Sequence, residues 1–84
     1  MYYVYILWSK ADQKFCIGYT ADLERRMHEH DKRKVYFSLR MAEPKLIFYE
    51  AFLSKEDAQR RERYFKTAKG KKTLRLMVRE SVKE

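Results

Sequence analysis

Cysteine, proline and glycine are scarce: the 84-residue chain has one, one and two of them. The lone cysteine, Cys16, excludes an internal disulfide and a cysteine-built zinc site, and suits a reducing, cytoplasmic setting. No repeat, low-complexity tract or Gly/Pro-rich linker divides the chain, so residues 1–84 read as a single domain. The apolar opening MYYVYILW is too short to cross a membrane and lacks the basic start and small-residue cleavage site of a signal peptide. It reads as a buried strand, and no membrane partner is expected. Acid is also in short supply: 12 Asp and Glu face 20 Lys and Arg, a formal charge of +8. Between Arg60 and Arg79 nine basic residues meet one acid, Glu62, and a second cluster stands at Lys32-Arg33-Lys34. This density favours a polyanionic partner, nucleic acid ahead of an anionic membrane. Plain solubility is the other reading of the charge.

What is present is patterned. YYVYILW is β-branched and aromatic on both faces, as in a strand covered on both sides. SKADQK is a polar connection and FCIGYT a second strand, so residues 2–20 read as a hairpin. Gly18 interrupts that strand and marks a close approach by some other group. Thr20 is the expected cap of a helix over ADLERRMHEH. A long loop ends at Pro44, and LIFYEAF is a third strand. Ser54 is expected to cap a second helix with Asp57 in the capping-box position. Gly70 is expected to break it before a third, whose core stripe is Leu74, Met77 and Val78. The order is β-β-α-β-α-α, an α+β fold with a small three-stranded antiparallel sheet and flanking helices.

Helix geometry then singles out side chains. At about 100° per residue, Leu23 and Met27 set the inward stripe of the first helix. Arg26 and His30, four apart, fall beside it on the core side, while Arg25, His28 and Glu29 point outward. In the second helix Ala58 and Phe65 face inward, Arg60 and Arg63 outward, and Glu62 sits on the inward side. A carboxylate placed there is paired, with Arg26 or Arg61, or protonated, or bound to a metal. A hard ion such as Mg²⁺ needs only one or two carboxylates besides water and phosphate oxygens. On the first strand Tyr3, Tyr5 and Leu7 share a face; on the second, Cys16 and Gly18 do.

In this order the residues resemble the GIY-YIG nuclease superfamily, in particular its small single-domain members. The first motif falls at YVY, residues 3–5, and the second at CIG, residues 16–18. Arg26 follows Cys16 by ten residues and His30 follows Arg26 by four; Glu62 stands in EDAQRRERYFK. The resemblance implies a divalent-metal-dependent DNA endonuclease with no small-molecule cofactor, and leaves open which DNA it acts on, branched or single-stranded forms included. Tyr5, Arg26, His30 and Glu62 would be catalytic. Glu62 would hold Mg²⁺ or Mn²⁺, Arg26 would offset charge on the phosphoryl group, and Tyr5 and His30 would handle the attacking water and its proton. Gly18 would leave room for the scissile phosphate. Lys32, Arg33, Lys34, Arg40, Lys66, Lys69, Lys71 and Lys72 would contact nucleic acid. Two positions depart from the signature: Tyr3 replaces the first glycine, and Cys16 replaces the tyrosine that opens the second motif. The second departure leaves a rival reading, a DNA-binding domain on the same scaffold with weakened or lost cleavage.

Overall fold

A computed structural model describes residues 1–32 and 41–84. Strands β1 (Tyr2–Ser9), β2 (Lys14–Thr20) and β3 (Lys45–Phe52) form one antiparallel sheet in the order β2-β1-β3. Helix α1 (Leu23–Asp31) precedes β3; α2 (Lys55–Phe65) and α3 (Ala68–Met77) follow it, and a short 3₁₀ turn spans Ser81–Lys83. This is the expected α+β order. β1 is central, which explains why Val4, Tyr5, Ile6 and Leu7 are all buried: one alternating set faces each side. Val4 and Ile6 join Ala58, Phe65, Leu74 and Val78 in the main core, under α2 and α3. The opposite face carries Tyr5, set against Gly18 of β2 and Tyr49 of β3. No described helix is long and apolar enough to cross a membrane.

The helix ends differ from the sequence expectations. Asp22, not Thr20, caps α1, its Oδ1 accepting from the Arg25 amide at 3.1 Å. Thr20 ends β2 and exchanges bonds with the Asp22 backbone, so the helix starts one short turn later. Ser54 is the N-cap residue of α2, but its hydroxyl donates to Glu56 and makes no cap bond; Asp57 is held by Arg60 instead. Gly70 does not break a helix. The break lies at Thr67, whose Oγ1 caps α3 by accepting from the Gly70 amide at 3.0 Å. Gly70 is buried inside α3, where a Cβ would collide with the Tyr64 carbonyl and stand 2.9 Å from the Phe65 Cα. The glycine lets the two helices meet. Met77 is 43 % exposed rather than core, because the buried stripe of α3 runs through Gly70, Leu74 and Val78, at i, i+4 and i+8.

Candidate active site

The Tyr5 hydroxyl and His30 Nε2 lie 3.0 Å apart in a buried hydrogen bond, 25 residues apart in sequence. The two rings meet edge to face at a centroid distance of 5.5 Å. β1 supplies the tyrosine and the last turn of α1 the histidine. Leu23 and Met27, expected as the inward stripe of α1, are only half-buried; His30 is its one buried residue. Its Nδ1 is buried without a hydrogen-bond partner among the described residues.

Gly18 sits directly opposite Tyr5 in the register. A Cβ at Gly18 would fall on the Tyr5 Cζ and hydroxyl oxygen, and 2.7 Å from Cε1. The group that approaches Gly18 is therefore the Tyr5 ring, which fills the space expected to stay open for a phosphate. The ring lies flat across β2 because nothing projects there, and its hydroxyl is thereby delivered to His30.

Burial raises the Tyr5 pKa above its ordinary value; Cys16 and Glu62 add to this, and the Arg26 guanidinium pulls it partly back. Burial lowers the His30 pKa below 6.5, and Arg26 lowers it further against the pull of Glu29 and Asp31. Both groups are therefore neutral near pH 7. Burial also raises the Cys16 thiol, which Lys66 partly offsets. One charge thus acts on both members of the hydrogen-bonded pair: Arg26, half-buried and bonded to Glu29 at 3.0 Å. Helix geometry alone points Glu29 outward. It is half-buried and also reaches Arg25 at 3.6 Å, contacts that its i, i+3 and i, i+4 spacings would have suggested.

Glu62 of α2 has a side chain 21 % exposed, and its charge reaches Tyr5. Its carboxylate bonds Lys66 at 3.2 Å, neither Arg26 nor Arg61. Arg61 instead grips Glu50 of β3 through two bonds, of 2.8 and 3.3 Å, and lies over the Phe65 ring. Of the expected nucleic-acid contacts, Lys32, Lys66, Lys69, Lys71 and Lys72 are exposed; Arg33, Lys34 and Arg40 lie outside the described residues.

Residues 1–75 match the family model of the GIY-YIG catalytic domain. The chain belongs to the GIY-YIG family. It is 38 % identical to a UPF0213 protein of Clostridium perfringens, over all of this chain and 90 % of that one. A UPF0213 protein of Limosilactobacillus reuteri is 41 % identical over 77 % of this chain and 70 % of its own. The solution NMR structure of the UPF0213 protein BH0048 of Bacillus halodurans superposes with a TM-score of 0.57 at 34 % identity, covering 92 % of this chain and 85 % of that one. As a GIY-YIG domain the chain is of nuclease type.

The buried His30 predicts an acid-sensitive fold. In the unfolded chain a histidine titrates near pH 6.5. Between that value and the lower folded pKa, the unfolded state binds more protons, so stability falls as pH drops through this window. His30→Gln, which can keep a bond to Tyr5, should melt with a shallower loss between about pH 7 and 5. Equal acid slopes in thermal melts of the two proteins would remove His30 as the cause.

Proposed function

We propose that the protein is a divalent-metal-dependent endonuclease that hydrolyses DNA phosphodiester bonds. The observation that carries this reading is the buried Tyr5–His30 bond with the Arg26 charge acting on both partners. Glu62 is the residue that would hold Mg²⁺ or Mn²⁺, which when bound would polarise the phosphate and stabilise the leaving oxygen. The donor set fits such an ion only as a one-carboxylate site: no cluster of three or more His, Cys, Asp or Glu among the described residues could hold a metal. Mg²⁺ accepts this, taking water and substrate oxygens for the rest. Lys66, 51 % exposed, can swing off Glu62 into solvent.

The protein's own groups divide the remaining tasks. Tyr5 keeps its proton in the resting site, because burial disfavours phenolate. It therefore orients the water first, and gains basicity only as its own proton moves to His30. His30 is neutral and, with its proton on Nδ1, offers Nε2 as the acceptor. Arg26 exchanges Glu29 for the phosphoryl group and offsets its charge as the bond breaks.

A second reading has an observation of its own. Cys16 stands where the family motif has tyrosine, and burial holds its thiol protonated, leaving a weak donor. A binding domain with weakened or lost cleavage would follow. Supercoiled, single-stranded and branched DNA, incubated with Mg²⁺, Mn²⁺ or chelator, separates the two. Cutting that requires metal supports the enzyme; binding without cutting under every condition supports the rival. Cys16→Tyr should accelerate cutting about tenfold, the worth of one regained supporting hydrogen bond. A hollow of about 340 Å³ beside Cys16 leaves space for the larger ring. An inert wild type rescued by Cys16→Tyr would favour the binding-only reading.

A further inference from the structure

Trp8, the only tryptophan in the chain, lies on the sheet face opposite Tyr5. It pairs with Phe15 across β1 and β2, the ring centroids 4.7 Å apart. Together they line a groove of about 660 Å³ that also takes in Lys14, Lys71, Arg75 and Arg79. No acid lines it among the described residues. None of those four cations belongs to a described ion pair; a fifth lining cation, Lys83, is paired with Glu80 at 3.0 Å, and Arg26 and Lys66 of the candidate centre are both engaged. Lys71, Arg75 and Arg79 recur every four residues along α3 and the turn after it, a row of roughly 12 Å at the helical rise.

The chemistry of the groove narrows its occupant. The Trp8 indole nitrogen is buried without a partner among the described residues, so the ring offers the groove carbon surface rather than a donor. A π surface beside a row of cations suits an unpaired polynucleotide strand, whose bases stack and whose phosphates follow the positive charge. A duplex keeps its base faces inside its own stack. A folded acidic protein would match the charge but has no use for the rings. The groove is also continuous with the candidate centre. The hollow beside Cys16 shares Lys14, Phe15 and Lys71 with it and reaches Lys66, which is bonded to Glu62. A basic path thus rounds β2, an edge strand, from one sheet face to the other.

We infer that the Trp8–Phe15 groove seats a base of an unpaired nucleic-acid strand whose phosphates run along Lys71, Arg75 and Arg79. The inference rests on the nuclease reading for the identity of that strand as substrate, but the seat can be tested without cleavage. The full chain, in chelator, is titrated with a short oligothymidylate while Trp8 fluorescence is followed, and binding is measured in parallel by anisotropy of a labelled strand. Saturable quenching is expected, with little from a duplex of equal length or from polyglutamate. The exposed double substitution Arg75→Glu with Arg79→Glu should weaken strand binding at least tenfold and flatten its salt dependence. Trp8→Ala should weaken it about tenfold or more, the effect of removing one stacking ring. Strand binding that leaves Trp8 unquenched, or that ignores the charge reversal, overturns the seat, as does equal quenching by polyglutamate. Intact metal-dependent cutting alongside such a failure would leave the nuclease reading standing. Quenching that responds to the charge reversal, in a protein that never cuts, would overturn that reading and keep the seat.

Discussion

Glu62→Gln should leave a folded protein that binds DNA and does not cut it. The substitution keeps the shape of the side chain and removes its charge, so the bond to Lys66 and the claim on a metal weaken together. Among the described residues no group of three or more His, Cys, Asp or Glu stands ready to take over the ion. A loss of at least a hundredfold to a thousandfold in single-turnover rate is expected, the scale for removing one key electrostatic group. Arg26→Ala should fall in the same range, because its charge meets the phosphoryl group directly in the proposed mechanism. Lys66→Ala should do the opposite at low metal concentration, since it frees Glu62 from its resting partner. Cleavage by Glu62→Gln at the wild-type rate, with the same metal dependence, would rule out the carboxylate as the essential ligand.

The strands were legible because their information is local. Alternation and β-branching place all three within about one residue of their observed ends, and the double-sided apolarity of β1 marks a strand covered on both faces; its central place in the sheet comes from the structure. Features created by two elements meeting were harder to read. Gly70 reads as a helix breaker in a linear scan; its purpose appears only when the carbonyl of Tyr64 is brought against it. Arg61 and Glu62 are adjacent and both partly inward, so the helical wheel cannot say which carries the structural ion pair. Glu50, from β3, decides it by taking Arg61 and leaving Glu62 to a lysine of its own helix. Of the candidate site, spacing alone makes Arg26 and His30 neighbours on one face of α1; Tyr5 joins them in the sequence only through the family resemblance, and in the structure its hydroxyl lies 3.0 Å from His30 Nε2. The basic row on α3 is regular in sequence, but its aromatic floor comes from the hairpin and could not be joined to it without the fold.

Gly18→Ala should destabilise the protein, against the usual sign for that exchange. In a strand, glycine costs conformational entropy, and alanine is ordinarily better by about 0.5–1 kcal/mol. No described glycine has a positive φ, so the backbone at this position does not require glycine. The obstacle is steric alone: the new methyl would occupy the place of the Tyr5 ring tip. Tyr5 is 2 % exposed and packed on every side, so it cannot tilt away freely. An overpacking cost of about 1–3 kcal/mol is expected. Displacing the ring also pulls its hydroxyl from His30, so cleavage should fall together with stability. Tyr5→Leu provides the control, because leucine has no atoms at the ring tip. In that background Gly18→Ala should be neutral or stabilising, and the coupling between the two positions should exceed 1 kcal/mol in a double-mutant cycle. Additive effects in denaturant melts would mean that the methyl finds room elsewhere and that Gly18 does not seat Tyr5. If instead coupling is large but Gly18→Ala cuts DNA normally, the ring's position matters to the fold and not to the chemistry. The proton path from Tyr5 to His30 would then have to be abandoned.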